Sequence, residues 1–425
     1  MLTVDFSNLF NVFNSDSKAS IPKEELAIFE SKYSNYQDLI ISREQGFLEI
    51  TENLDLIDEI KKFTASINGK FTNILVLGIG GSMLGPQTII DSLVSKFNTD
   101  VKIHFLDNID PDLISEIKDN LDFFKTLILV QTKSGGTPET ISQYFLFKEI
   151  IQNLGLKPEN HFVFVTDPEA GYLRKVAKIE NIPSFEVPKN VGGRFSVLTA
   201  IGLLSAGIAG LNMKELLKGA NWASKEFFYG ENTAALELAA TQFLLNKKGQ
   251  NINVFMPYSS KLKMLANWYT QLLSESVGKK EDLNGQEIRA GITPLPALGA
   301  TDQHSQLQLF TEGPNDKLIM FVEVQNFEKT VPIPNNSEAS FNYLNGKTFN
   351  DLISAEFKAT RQSLTENLKP NITISIEKVD EFHLGALFVF LEISVAFLGE
   401  LLNINTFNQP GVERSKILTK ENLLK

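Results

Sequence analysis

The sequence predicts an α/β protein built from two similar units, each a mainly parallel β-sheet covered on both faces by helices. Short, continuous apolar runs recur along the chain between turn signals, which is the pattern of strands buried on both faces. Between these runs lie stretches with apolar residues at helical spacing, so strands and helices alternate as the crossovers of a parallel sheet require. The length of 425 residues also exceeds what one core usually serves and points to more than one domain.

Residues 1–50 are polar with scattered Phe and Leu, and read as a helical arm packed on something larger. From Asn73 the pattern changes: 74–77, 103–106, 127–130 and 162–165, with a shorter 185–187, read as the strands of a first unit spanning 51–212. The same grammar restarts in a second unit, 213–425, with strands at 253–256, 318–324 and 372–376 and helices closing the chain. Within it, 261–276 places Leu262, Leu265, Trp268, Tyr269, Leu272 and Leu273 at a helical period. Segment 384–404 has nearly the length of a membrane span, but Glu392 sits close to its middle. A mid-bilayer carboxylate costs about 2.5–3.5 kcal/mol, so a buried core helix is expected. The first residues lack a basic n-region and a continuous apolar h-region, so a cytoplasmic location without membrane association is expected.

Composition excludes several function classes. The chain has no cysteine, which removes disulfide frameworks, thiolate metal sites and a cysteine nucleophile. Its net charge of −11 provides no sequence-wide basic field for nucleic acid. With 4 histidines (His104, His161, His304 and His383), a multi-histidine metal site is not expected.

Ligands of open parallel sheets bind beyond the carboxyl ends of strands, and two strand–loop–helix elements suit phosphate there. The first is Ile74-Leu-Val-Leu-Gly-Ile-Gly-Gly-Ser82. Its glycines permit close backbone approach, and the following helix offers free N–H groups. Met83 stands where a dinucleotide fingerprint needs its third glycine, although Asp107 could serve as a ribose-binding acid. A nicotinamide site and a ligand-free turn therefore both stay open on this loop. The second element, 127–140, contains the loop Thr132-Lys-Ser-Gly-Gly-Thr-Pro. It offers the hydroxyls of Thr132, Ser134 and Thr137, the ammonium of Lys133 and a helix N-terminus capped by Thr137 with Pro138 following. A phosphate dianion needs such converging donors; a capped surface turn is the bland alternative.

Glu275 falls near the end of the 261–276 helix, beside Trp268 and Leu272 on the helical wheel. An apolar flank and the negative helix end both suit a general base working near neutrality. A glutamate reaching solvent at a frayed helix end is the alternative. His304 lies in a small-residue loop and is a candidate proton shuttle, with a surface or capping role as the alternative. Arg194 follows two glycines and precedes an apolar helix, a position for a fixed guanidinium facing an anionic oxygen or for an ordinary salt bridge.

The segments GIGGSMLGP, TKSGGTPET, GGRFSVLTAIGLL, QLLSESVGK, GATDQHSQLQL and INTFNQPGVERSK stand in this order along the chain, and together they resemble the glucose-6-phosphate isomerase family in its compact bacterial form. The resemblance implies two sugar-isomerase (SIS-type) domains with the active site between them, and reversible conversion of glucose 6-phosphate to fructose 6-phosphate. It implies that Thr132, Lys133, Ser134 and Thr137 hold the phosphate, with Gly81, Ser82 and Gln409 lining the same site and Gln271 touching substrate. Arg194 matches the arginine that stabilises an enediolate, and Glu275 the base that moves a proton between C2 and C1. His304 and Lys416 match the pair associated with ring opening, the histidine coming from the neighbouring subunit, which implies a homodimer. No cofactor, metal, nucleic acid or membrane is implied. Two departures stand out: the chain is much shorter than the long members of the family, and the phosphate loop carries Thr132 where serine is common and Gly135-Gly136 where some members have bulkier residues.

Overall fold

The computed structural model describes residues 1–10, 20–97 and 99–425; the part of the expected N-terminal arm at 11–19 lies outside the described residues. The strands are β1 (Thr3–Asp5), β2 (Asn73–Leu77), β3 (Lys102–Leu106), β4 (Thr126–Gln131), β5 (Phe162–Thr166), β6 (Ser184–Glu186), β7 (Ile252–Pro257), β8 (Lys279–Glu281), β9 (Glu287–Ala290), β10 (Thr293–Pro296), β11 (Lys317–Val324) and β12 (Asn371–Ile376). One sheet runs β3-β2-β4-β5-β6 with every pair parallel. The other runs β1-β12-β11-β7-β10, parallel except for β1, which lies antiparallel on β12. β4, β5 and β12 are buried along their whole length; β4 and β5 accordingly read as near-continuous apolar runs, whereas β12 alternates isoleucines with the buried Thr373 and Ser375.

The two sheets share a topology that fixes where a ligand can bind. In the first, the chain steps from β2 to β3 on one side and then places β4 on the other. In the second, it steps from β7 to β10 and then places β11 on the opposite side. At each reversal the connections leave neighbouring strands in opposite directions and open a crevice beyond their carboxyl ends. One apolar cluster takes in Val76 and Leu129 of the first sheet and Phe255 and Ile374 of the second, so the units share a core.

Helix Glu381–Leu401 runs through that core and is buried from His383 to Glu400. By length and composition it could cross a membrane, but 94% of its most apolar window is buried inside the fold. It crosses helix Met213–Phe227 at glycine contacts, since a Cβ on Gly219 would lie 1.8 Å from the Phe382 carbonyl oxygen and one on Gly385 2.0 Å from that of Leu216. Glu392, at 0% exposure, has no hydrogen-bond partner for either carboxyl oxygen among the described residues. Burial holds its carboxyl well above the usual carboxylate range.

The structure departs from the sequence reading at short edge elements. The expected helical arm begins with β1, three residues that add an edge to the second sheet, too few to show any alternation. β10 carries Pro294 and Pro296 and forms the opposite edge, where a missing N–H is tolerated.

Candidate active site

The loop leaving β2 and the loop leaving β4 meet at the first sheet's reversal. Gly80 turns the first loop at φ +56° and Gly135 the second at φ +66°, conformations in which a side chain is strained. Gly81 packs directly on the turn Gly193–Phe195: a Cβ there would lie 2.3 Å from the Gly193 carbonyl oxygen. Ser82 closes this loop in a single 3-10 turn.

In the second loop three hydroxyls converge. Thr132 Oγ1 lies 2.6 Å from Thr137 Oγ1 and 3.4 Å from Ser134 Oγ, and Ser134 lies 3.4 Å from Thr137. They gather at the N-terminus of the 16-residue helix Pro138–Asn153, where Thr137 holds the cap position without committing its hydroxyl to a capping bond. Hydroxyls clustered over free N–H groups at the positive end of a long helix form an anion cradle. The Lys133 ammonium, expected to face that anion, donates to the main-chain carbonyls of Lys189 (3.0 Å) and Val191 (2.6 Å). Burial presses it below the ordinary lysine range, partly opposed by Asp167. Its side chain thus ties the cradle to the segment that leads into Gly192-Gly193-Arg194.

Arg194 is 3% exposed and saturated with acceptors. Its Nε donates to Ser276 Oγ at 2.7 Å, and Nη1 to Gln409 Oε1 at 3.2 Å and Glu275 Oε2 at 3.4 Å. Nη2 donates to the carbonyls of Thr406 and Asn408. Burial lowers its proton affinity and Glu275 opposes that shift, but a guanidinium starts so high that it stays charged. The 3.4 Å to Glu275 is longer than a tight charge-assisted bond, so this carboxylate is not consumed by the arginine. Gln271, one turn earlier on helix Lys263–Val277, donates to the other Glu275 oxygen at 3.0 Å. Its own Oε1 is buried without a partner among the described residues, an acceptor left for a ligand hydroxyl. The Glu275 side chain is 30% exposed. The helical wheel puts it on the apolar side; in the fold it is only half-buried and keeps contact with solvent.

Contacts join Gly81 to the Arg194 turn, Arg194 to Glu275 and Gln409, Gln271 to Glu275, and Thr132 to Ser134 and Thr137, with Ser82 in the same loop as Gly81. Among the described residues no hydrogen bond joins His304 or Lys416 to them. His304 is exposed in the turn Thr301–His304, and Lys416 bonds Glu413 at 2.7 Å on helix Glu413–Leu423, which has no buried residue. Sequence reading passed over Ser276 and Lys279. Both stand inside the QLLSESVGK segment, but only the folded chain reveals that Ser276 binds Arg194, 82 residues away. Among the described residues, no group of three or more His, Asp or Glu side chains could hold a metal ion. The arrangement combines an anion cradle, a fixed cation and a carboxylate oriented by an amide, the parts needed to move a proton next to a carbonyl in a phosphorylated substrate.

The phosphoglucose isomerase family model matches residues 48–424. Glucose-6-phosphate isomerase of Carboxydothermus hydrogenoformans is 40% identical over 98% of this chain and 94% of its own length. A crystal structure of a hypothetical protein from Thermus thermophilus superposes with a TM-score of 0.90 at 33% identity, covering 100% of both chains. The crystal structure of a glucose-6-phosphate isomerase from Chlamydia trachomatis superposes at 0.83 over 99% of this chain and 88% of that one; at 22% identity it speaks for the fold.

Proposed function

This chain belongs to the phosphoglucose isomerase family, and on that premise we propose that it interconverts D-glucose 6-phosphate and D-fructose 6-phosphate in the cytoplasm, using two sugar-isomerase units at 51–212 and 213–425. The observation that carries this reading is the Glu275 carboxylate held between the amide of Gln271 and the guanidinium of Arg194, next to loops tied to the hydroxyl cradle.

The phosphate dianion sits on Thr132, Ser134 and Thr137 at the helix N-terminus, with Gly81 and Ser82 closing the opposite wall. Binding at this remote group fixes the reacting carbons in place. Glu275 takes the proton from C2 of the open-chain aldose, and the C2–H electrons form the C1–C2 double bond as negative charge gathers on oxygen. Arg194 stabilises that enediolate through its fixed positive charge, from a position set by Ser276, Gln409 and the 406–408 carbonyls. Glu275 then returns the proton to C1 as the hydroxyl proton of O2 passes to O1, which leaves the carbonyl at C2 and gives the ketose. One carboxylate serves both transfers because C1 and C2 of a cis-enediolate present the same face. Gln271 orients the base and accepts a substrate hydroxyl on its free Oε1.

Ring opening falls to His304 and Lys416, with His304 supplied by a second copy in a homodimer. Support for a partner comes from the exposure of both residues and from helix Glu413–Leu423, which leaves Ile417 and Leu423 at 50% and 81% exposure. The test mixes two inactive variants. Glu275→Gln should lose at least about a hundredfold in kcat with phosphorylated-inhibitor binding intact. Co-refolded with His304→Ala, it should recover about a quarter of wild-type activity, because half of the dimers then hold one intact site. No recovery would remove the cross-subunit histidine, and an active Glu275→Gln would remove the base.

A further inference from the structure

Lys279 takes no part in the chemistry above, yet it is 6% exposed, and lysines are almost never buried unless paired. It follows directly on the helix that carries Glu275. Its ammonium donates to the main-chain carbonyls of Glu275 at 2.6 Å and Ser276 at 2.9 Å, carbonyls that the helix end leaves without an internal partner. Ser276 is also the residue whose hydroxyl receives Arg194 Nε at 2.7 Å. Lys279 is therefore bonded to the backbone of the base and to the backbone of the residue that holds the arginine.

The placement is electrostatically costly. Burial and the neighbouring Arg194 cation push the Lys279 ammonium down to about 8, with the Glu275 carboxylate opposing. The charged groups that face it are Arg194, from the turn Gly193–Phe195, and Glu275, from its own helix; across the β8–β9 pair it faces Ala290. An apolar side chain of similar length would avoid the repulsion of two adjacent cations, so the ammonium's gain has to lie in what it holds.

We propose that Lys279 is a positioning residue for proton transfer. Bound to the carbonyls of Glu275 and Ser276, it fixes the carboxylate and, through Ser276, the guanidinium, and it offsets the negative helix end beside the base. The proposal rests on Glu275 acting as the base.

The test compares Lys279→Met and Lys279→Arg with wild type by steady-state kinetics, inhibition by a phosphorylated sugar acid that cannot isomerise, and thermal melting. Lys279→Met should lower kcat about 10- to 100-fold while KM and the inhibition constant stay within about threefold. Lys279→Arg should recover most of kcat. The wild-type rate should fall on the alkaline side near pH 8, as Lys279 loses its proton, and that limb should move upward in Lys279→Arg, which stays charged. Wild-type kcat in Lys279→Met would overturn the proposal, as would equal loss of kcat and inhibitor binding in both variants with lowered melting points. If Glu275→Gln remained active, the base assignment itself would fall, which is a separate result.

Discussion

Gly81→Ala probes the closest backbone contact of the site. A Cβ at this position would lie 2.3 Å from the Gly193 carbonyl oxygen, 2.4 Å from its carbonyl carbon and 2.8 Å from the Arg194 nitrogen. Carbon and oxygen approach no closer than about 3.3 Å even in weak hydrogen bonds, so the two backbones must part by about 1 Å. Neither can yield by rotating a side chain, because the atoms in conflict are main chain. The displaced element carries Arg194, whose guanidinium is held by five acceptor residues on other segments. A misplacement of about 1 Å at a reacting group costs on the order of a hundredfold in rate, or about 2.7 kcal/mol of activation free energy. Overpacking adds about 1–3 kcal/mol of lost stability. The assay is kcat in a coupled spectrophotometric reaction, corrected for folded fraction by thermal melting. Gly192→Ala is the control: its φ is −62° and a Cβ would meet only Phe195 Cδ2 at 3.5 Å, so kcat should stay within about threefold. Folded Gly81→Ala that kept more than about a third of wild-type kcat would refute the reasoning, as would a Gly192→Ala variant equally impaired.

Two further outcomes follow from the same geometry. Lys133→Ala releases the 189–191 carbonyls and so loosens the approach to Arg194. In inhibition kinetics kcat should fall about tenfold and the inhibition constant of a phosphorylated analogue should change less than threefold; the reverse pattern would put the ammonium on the phosphate. Glu392→Gln concerns stability. Because the folded-state carboxyl is held above its unfolded value, its contribution is fully present below about pH 4.3 and is lost as pH rises through the folded value. The stability of Glu392→Gln relative to wild type, followed by thermal melting, should therefore rise as pH increases above about 4.3, by up to about 1.4 kcal/mol per pH unit, until pH passes the folded-state value. A difference independent of pH would show that the carboxyl is paired or hydrated.

How much of this was legible in the sequence depended on whether the determining contacts were local. β2, β4, β5, β7 and β11 were readable because burial on both faces leaves apolar runs, and β12 because its isoleucines recur at every second residue. β1 and β10 were not, since an edge strand needs only backbone pairing and β10 even carries prolines. The hydroxyl loop was readable because Thr137 and Pro138 mark a helix start within the same few residues. The surroundings of Arg194 were not, because Thr406 lies 212 residues away and no spacing rule joins them. Lys133 shows the limit most clearly: nothing in its loop announces the carbonyls of Lys189 and Val191, which its ammonium meets in the fold.

The central claim, that one carboxylate shuttles a proton between C1 and C2 of a sugar phosphate, is tested most directly by NMR of fructose 6-phosphate with the purified protein in D₂O. The expected result is glucose 6-phosphate carrying deuterium at C2, abolished in Glu275→Gln. Broadened substrate signals without product or deuterium would contradict it and leave a sugar-phosphate binder without catalysis.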